Sequence, residues 1–255
     1  MSSIDRSNIE RALSQYQDPY LKTDLISAGC LRDVQIEGGK VTVEIELGYA
    51  AASLTAGIAQ MLQVAVEAVD QVESAKVNVR CVVRAAPVQG SIEALANVKN
   101  IIAVASGKGG VGKSTTAVNL ALALAREGAT VGILDADIYG PSMGLMLGLP
   151  ANTRPQIKDK KLFVAPRAHG VQVMSMAFLM DENTPAVWRG PMVSGALMQL
   201  LTQTAWDDLD YLVVDMPPGT GDIQLTLAQK VPVTGAVIVT TPQDLALLDA
   251  IKGIE

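Results

Sequence analysis

A glycine-rich run with two lysines, residues 107–115, carries the residue types best suited to binding phosphate. It reads Gly107-Lys108-Gly109-Gly110-Val111-Gly112-Lys113-Ser114-Thr115 and satisfies the phosphate-loop pattern G-x-x-x-x-G-K-[ST]. Glycines allow backbone N–H groups to surround phosphate oxygens, because no Cβ atom stands in the way. We expect the whole run to bind a nucleotide, with Lys113 at the β- and γ-phosphates and Ser114 on Mg²⁺.

Three acidic residues follow two apolar runs, at points where buried strands are expected to end. Asp135 and Asp137 come after the run 130–134, and Asp215 comes after the run 211–214. Open α/β sheets place their chemistry at the carboxyl ends of their strands. We expect Asp215 to bind Mg²⁺ through water. One of Asp135 and Asp137 could orient or deprotonate an attacking water while the other supports the metal, or the pair could form only a turn or a helix cap.

The loop after Asp215 is rich in proline and glycine and reads Pro217-Pro218-Gly219-Thr220-Gly221-Asp222. A loop of this kind beside a γ-phosphate can be drawn in by it and released after hydrolysis. Gly219 and Asp222 are therefore predicted to belong to a nucleotide-sensing switch.

Lys108 lies directly after the first glycine of the phosphate loop, where the pattern requires no lysine. It could supply a second cation to the γ-phosphate, and it could do so across a dimer interface. It could also be an ordinary lysine in contact with solvent.

Apolar runs on both sides of these residues indicate the elements that hold them. The run 101–105 enters the phosphate loop and the run 118–125 leaves it, which predicts a buried strand, a turn and a helix that ends near Gly128. Further strands are expected at 130–134, 171–176, 211–214 and 235–240, a short hairpin at 155–164 and a helix at 196–205. This alternation predicts a doubly wound, mostly parallel sheet of the P-loop class, from residue 99 to residue 255.

Residues 1–85 predict a separate small unit with the order α-β-β-α-β. Alternating apolar residues on both sides of Gly38-Gly39 predict a hairpin, and Ser7-x-x-Glu10 is a candidate capping box. Cys30 and Cys81 have no C-x-x-C spacing, so no metal site follows from them. We expect both to be structural, with a reactive thiol or a cluster ligand as the alternative for Cys30. Residues 86–98, which lack periodicity, are predicted to form a linker.

Three strings carry a resemblance to a known family. The loop Gly-Lys-Gly-Gly-Val-Gly-Lys-Ser-Thr resembles the deviant Walker A motif of the nitrogenase iron protein, the MinD and ParA ATPases, and the Mrp-type iron–sulfur carriers. The strings Asp-Ile-Tyr-Gly-Pro-Ser at 137–142 and Trp-Arg-Gly-Pro-Met at 188–192 resemble the Mrp-type subgroup. Asp18-Pro19, the stretch 26–29 and the hairpin give residues 1–85 a resemblance to the small iron–sulfur-assembly domain that precedes such ATPases. The Pro-x-Cys-Pro segment of related domains is absent, since residues 48–53 read Gly-Tyr-Ala-Ala-Ala-Ser.

This resemblance implies an ATPase that acts as a switch, uses ATP and Mg²⁺, and transfers iron–sulfur clusters to client apoproteins. It implies that Lys108 acts across a homodimer, that Asp135 and Asp137 form a first switch in which Asp137 activates water, and that Asp215 is the Walker B acid. The family's bridging C-x-x-C motif is absent from residues 1–255. We therefore expect the ATPase domain to be incomplete at its C-terminus, and cluster binding rests on the resemblance alone.

Net charge and hydropathy disfavour some of the remaining classes of function. The net charge of −6 disfavours a broad nucleic-acid surface, and no apolar run has the length of a membrane span. The N-terminus shows no apolar segment typical of secretory signals, so we expect a cytoplasmic protein without nucleic-acid or membrane partners. Two alternatives stay open: a ParA/MinD-like positioning ATPase on DNA or membrane, and a non-catalytic nucleotide-gated scaffold.

Overall fold

The computed structural model describes residues 4–87, 95, 97–159, 161–179, 190–219, 224 and 229–254. The chain divides into two compact units, Met1–Arg84 and Ala85–Glu255. Most of the predicted linker, residues 88–94 and 96, lies outside the described residues.

The first unit has the predicted order of main elements together with a short additional strand pair. Its elements are α1 (Arg6–Leu13), β1 (Gln17–Asp18), β2 (Thr23–Asp24), β3 (Leu31–Glu37), β4 (Lys40–Leu47), α2 (Thr55–Glu67) and β5 (Ser74–Cys81). Strands β3, β4 and β5 form a sheet in that order, in which β3–β4 is antiparallel and β4–β5 is parallel. Strands β1 and β2 pair separately.

The hydrophobic core of this unit lies between the sheet and the two helices. Alternate residues of β4 point into it, so that Val41, Val43, Ile45 and Leu47 are each at most 1% exposed. They pack with apolar residues of both helices and with the buried Cys30, while Cys81 packs at the margin of the core. The expectation that both cysteines are structural agrees with these positions.

Helix α1 begins two residues earlier than the predicted capping box implies. Its N-cap is Asp5, whose Oδ1 accepts a hydrogen bond of 3.3 Å from the backbone N–H of Ser7. The prediction that Ser7 and Glu10 form the capping box is therefore wrong. An aspartate two residues earlier has the same capping ability, and it is the residue that the fold uses.

The second unit is an α/β sheet protein with the predicted parallel core. Its elements are β6 (Val98–Ala105), α3 (Lys113–Arg126), β7 (Val131–Asp135), α4 (Met143–Met146), β8 (Gln156–Lys158), β9 (Leu162–Val164), β10 (Arg167–Ala168), β11 (Val171–Ser175), α5 (Gly190–Gln203), β12 (Leu209–Asp215), β13 (Gly235–Ile238) and α6 (Asp244–Ile254). The main sheet has the order β10-β11-β7-β12-β6-β13, and only the β10 edge is antiparallel.

The central strands are continuous apolar runs because they are buried along their length. Every residue of β7 and β11 is buried, as expected for parallel strands that are covered on both faces. Helix α3 packs on β6, β7 and β12. It ends as predicted at Gly128, where Gly128 N–H donates to Ala125 O and Ala129 N–H donates to Leu124 O, the two bonds of a Schellman motif.

Two smaller predictions have different outcomes. The hairpin β8–β9 forms where the sequence predicted it. Helix α5 begins at Gly190 rather than at Ala196, because its apolar periodicity extends toward the N-terminus. Within the described part of the chain, no helix combines the length and the apolar character that crossing a membrane requires.

Candidate functional site

The predicted phosphate loop connects the carboxyl end of β6 to the first residue of α3, Lys113. Gly110 and Gly112 have φ values of 78° and 91°, which L-residues rarely adopt, so glycine is required there by backbone conformation. Gly107 is required by space, since a Cβ atom would lie 2.7 Å from the backbone carbon of Asp249 in α6. The loop thus leads into the N-terminus of a long helix, a position that favours anions.

Parallel pairing brings the predicted acids to the same edge of the sheet as this loop. In the sheet register, Asp215 is level with Asp135 on β7 and with Val104 near the end of β6. Both carboxyl groups belong to residues with 0% exposure. Asp137 lies close enough for its charge to raise the pKa of Asp215.

Lys113, Ser114 and Asp215 form one buried cluster. The Lys113 ammonium donates to Asp215 Oδ1 at 2.5 Å, and the Ser114 hydroxyl donates to Asp215 Oδ2 at 2.7 Å. Burial raises the pKa of Asp215, and the hydrogen bonds from Lys113 and Ser114 oppose that shift. A buried ammonium and a buried carboxylate tolerate this environment because they neutralise each other.

The oxygen atoms of this cluster fit the preferences of Mg²⁺. Ser114 Oγ and Asp215 Oδ2 lie 2.7 Å from each other, and both are hard oxygen ligands. Among the described residues, no cluster of three or more His, Cys, Asp or Glu side chains could hold a metal by itself. Magnesium sites in nucleotide-binding proteins use one or two protein oxygens and complete the shell with phosphate and water. The residues present therefore fit Mg²⁺ that enters together with a nucleotide.

Asp135 organises the loop that follows β7. Its Oδ1 accepts from the N–H of Asp137 at 3.1 Å, and its Oδ2 accepts from the N–H groups of Ser142 and Met143 at 2.9 and 3.0 Å. The Ser175 hydroxyl also donates to Oδ2, at 3.3 Å. Burial raises the pKa of Asp135 to about 6 despite the three backbone donors. These hydrogen bonds are the turn and helix-cap contacts that the sequence allowed as an alternative role for the acidic pair.

Asp137 lies on the loop that Asp135 folds. Its Oδ1 accepts hydrogen bonds from the N–H groups of Tyr139 and Gly140, at 3.2 and 3.1 Å. The residue is 9% exposed, so its carboxylate has limited contact with solvent. This second turn fixes the direction of the Asp137 side chain next to the Lys113–Asp215 pair.

The segment after Asp215 is tied to the strand that leads into the phosphate loop. Met216 N–H donates to Val104 O at 3.0 Å, and Gly219 N–H donates to Ser106 O at 2.8 Å. The Ser106 hydroxyl is buried and has no hydrogen-bond partner among the described residues. Sequence reasoning missed Ser106, although its position directly before the first glycine of the loop is a usable signal.

One predicted residue, Lys108, is described but is not part of the cluster, and three others cannot be placed. Lys108 is half-buried, and it makes no ion pair with any residue that the structure describes. Asp222 of the proposed second switch, and Trp188 and Arg189 of the family-like string, lie outside the described residues.

Comparison with known proteins gives consistent matches for both units. The family model described as "NUBPL iron-transfer P-loop NTPase" matches residues 97–255, and the model described as "Iron-sulfur cluster assembly protein" matches residues 6–79. A protein of Haemophilus influenzae named iron-sulfur cluster carrier protein is 49% identical over 257 residues, which cover 100% of this chain and 68% of the relative. One of the same name from Pseudomonas fragi is 75% identical over 195 residues, 76% of this chain and 68% of the relative.

A solved structure supports the fold of the second unit. The nucleotide-binding protein of Archaeoglobus fulgidus, in complex with ADP, is 39% identical with a TM-score of 0.52, and the match covers 62% of this chain and 61% of that one. The chain belongs to the family of NUBPL-type iron-transfer P-loop NTPases, here with an iron–sulfur cluster assembly unit at residues 6–79.

Proposed function

We propose that this chain is an ATP-hydrolysing switch that takes part in the transfer of iron–sulfur clusters to apoproteins. The observation that carries the nucleotide part is the Lys113–Ser114–Asp215 cluster at the end of a glycine loop. The transfer part is supported by the family of the chain and by the names of its relatives.

When a nucleotide binds, Lys113, Ser114 and Asp215 are proposed to release one another and to bind the nucleotide and its metal ion instead. Lys113 moves from Asp215 to the β- and γ-phosphate oxygens, which carry more negative charge than one carboxylate. The oxygens of Asp215 and Ser114 are then available to Mg²⁺, Asp215 acting through water. Bound there, Mg²⁺ would neutralise charge on the phosphates, and the backbone N–H groups of residues 107–115 would surround them.

Hydrolysis is proposed to depend on Asp137, with Asp135 as its support. Asp137 orients or deprotonates the attacking water, and its position beside the cluster suits this role. Asp135 keeps the loop folded, because its oxygens already accept backbone hydrogen bonds. Both acids belong to the first proposed switch.

The second proposed switch begins at Gly219 and includes Asp222. The bond from Gly219 N–H to Ser106 O links its first residues to the strand before the phosphate loop. A change at the γ-phosphate could therefore reach this segment through one hydrogen bond. Gly219 itself has a φ of 104°, a backbone conformation that glycine adopts readily and other residues rarely do.

Lys108 is proposed to act on the γ-phosphate of a partner subunit in a homodimer. Mixing Lys108→Ala with Asp137→Asn subunits tests this, because a mixed dimer regains one site with both groups. Partial recovery of turnover supports action in trans. Mixed dimers that form without any recovery contradict it.

The cargo is proposed to be an iron–sulfur cluster. The site residues discussed above are proposed to bind and hydrolyse ATP rather than to bind the cluster. Burial raises the pKa of the Cys30 thiol, which disfavours the thiolate that binds iron. We also propose the domain division 1–85, 86–98 and 99–255, apoprotein clients, and a cytoplasmic location.

Turnover and cluster transfer should be measured together. The chain is incubated with iron, sulfide and Mg·ATP, and an apoprotein whose absorbance reports its cluster is added. We expect ATP turnover, and faster cluster acquisition than with iron and sulfide alone. Lys113→Ala should abolish both effects, while Lys158→Ala, an exposed lysine of β8, should leave them unchanged. ATP turnover without faster acquisition would contradict the transfer function.

A further inference from the structure

The three-stranded sheet of the first unit has two open edges that differ in structure. Strand β4 is central, so within the described part of the chain β3 and β5 each have one side without a neighbouring strand. An open edge exposes a row of backbone N–H and C=O groups that another chain can pair with, unless the fold blocks it.

The edge of β3 is blocked. Its register with β4 shifts between Leu31 and Asp33, which bends the strand. The N–H of Val34 is also occupied, since Asp33 Oδ1 accepts it at 2.9 Å. An incoming strand would meet a bulge, a capped amide and a negative charge.

The edge of β5 lacks these features along most of its length. Its parallel register with β4 runs from Ser74 to Cys81 without a shift. The ladder continues, because the N–H groups of Val82 and Arg84 donate to Leu47 O and Gly48 O at 2.9 and 3.2 Å. Backbone groups alternate in direction along a strand, so those of the odd-numbered residues face away from β4.

The outward row begins with a capped group and then becomes open. Glu67 Oε1 accepts the N–H of Ala75 at 3.2 Å. The next four outward N–H groups donate to no residue in the described part of the chain; they belong to Val77, Val79, Cys81 and Val83. We call this row, together with the exposed side chains of Lys76, Arg80 and Arg84, the β5 edge.

The β5 edge is locally basic on a chain whose net charge is −6. Three guanidinium groups, those of Arg32, Arg80 and Arg84, share the single carboxylate of Glu46, at 2.8, 3.1 and 3.3 Å. Glu44, the next acid on β4, accepts a hydrogen bond from the neutral Asn78 at 2.6 Å and keeps its negative charge. Arg32, Lys76 and Arg80 by themselves still outnumber the two carboxylates of β4 on this face, which therefore has an excess of positive charge.

This charge selects the occupant. A second copy that paired antiparallel along the same edge would bring two sets of Lys76, Arg80 and Arg84 onto one sheet face, where like charges on neighbouring strands are destabilising. An added strand with carboxylates at alternate positions would instead place them beside these cations. Planar guanidinium groups match carboxylates in geometry as well as in charge.

We propose that the β5 edge binds an extended acidic segment of a partner protein, which adds as a fourth strand to the sheet of the first unit. Backbone pairing supplies the binding energy, and Lys76, Arg80 and Arg84 select the acidic side chains. The proposal does not depend on ATP, because the edge belongs to the unit without the phosphate loop.

The test uses a fluorescent peptide with glutamate at every second position and threonine between, titrated with the full chain in an anisotropy measurement. Two further versions carry N-methyl groups on one or the other alternate set of amides. Strand addition requires only the set that faces β5, so one methylated peptide should bind as the parent does and the other should lose about tenfold or more in affinity. Equal binding of both methylated versions, or no binding of the parent, overturns the proposal.

Protein variants test the selection by charge. Arg80→Glu should weaken binding of the parent peptide by about tenfold, whereas Arg11→Glu, an equal charge reversal on the exposed side of α1, should not. Far-ultraviolet circular dichroism checks that both variants fold. If Arg80→Glu does not fold, the methylated peptides still test the proposal, because they are titrated with the unmodified chain. A single-stranded oligonucleotide of equal charge that binds as well as the peptide would show a general anion patch. Self-association that Arg80→Glu abolishes would make a second copy the occupant. Either result contradicts the proposal.

Discussion

Asp135 and Asp215 lie side by side at the ends of neighbouring parallel strands, and both are fully buried. Their partners differ in kind. Asp135 accepts mainly backbone N–H groups, which cannot leave without unfolding the loop. Asp215 is held by the side chains of Lys113 and Ser114, which can turn toward another ligand. Burial and a raised pKa are therefore common to both acids, and the two differ in whether backbone groups or side chains hold them.

The largest effect is expected where the exchangeable partner is removed. Lys113→Ala deletes the cation that we propose for the β- and γ-phosphates, so Mg·ATP affinity should fall by about a hundredfold or more. Isothermal titration calorimetry measures this loss directly. Lys158→Ala serves as the control, since it removes an exposed lysine. Unchanged affinity in Lys113→Ala would remove the phosphate-loop assignment.

The next effect is expected at Asp137, where catalysis can be separated from the folding of the loop after β7. Asp137→Asn keeps a side chain that can accept the same backbone hydrogen bonds, but it cannot take up a proton. We expect ATP affinity to persist and turnover to fall by roughly 10² to 10⁴. Phosphate release under saturating ATP measures the change. Wild-type turnover would show that the basic or water-orienting group is another residue.

A smaller effect, on the free energy of unfolding, is expected when Asp135, the other buried acid, is changed. Asp135→Asn replaces one acceptor oxygen by an N–H donor that faces backbone donors, which should lower the unfolding free energy by about 2 kcal/mol or more. Saturating ADP should not reduce this deficit, because the lost partners are backbone groups. Asp159→Asn, in the exposed turn after β8, is the control. A deficit that ADP abolishes would place Asp135 among the exchangeable groups.

The most gradual effect is the pH dependence of stability, because it is spread over the range from pH 3.8 to about 6. Asp135 has its pKa raised from 3.8 to about 6, so the folded state binds the proton more tightly than the unfolded state. Its stabilising contribution is therefore full below pH 3.8 and is lost as the pH rises through 6, by an amount on the order of 3 kcal/mol. Urea unfolding between pH 4 and 7 should show a shallower decline in Asp135→Asn than in the wild type. Identical slopes would contradict the assignment.

Much of this site could be predicted from local sequence, because the phosphate loop and the helix end at Gly128 depend on residues close in the chain. The close approach of Asp249 to Gly107 could not be predicted, since it depends on how α6 crosses the loop. The role of Asp135 was only one of several alternatives, because it depends on Ser142 and Ser175 reaching one carboxylate. Helices α1 and α5, which begin at Arg6 and Gly190, start earlier than predicted because neighbouring residues cap or extend a helix equally well.

The central claim is that Lys113 exchanges Asp215 for phosphate while Asp215 becomes available to Mg²⁺. The most direct measurement is ADP affinity of the wild type and Asp215→Asn, each with and without Mg²⁺. Without Mg²⁺ the variant should bind ADP at least as tightly as the wild type, because Lys113 no longer has to leave a carboxylate. Added Mg²⁺ should strengthen binding to the wild type and leave the variant unchanged. A variant that binds ADP more weakly without Mg²⁺, and gains as much from Mg²⁺ as the wild type does, would contradict the exchange.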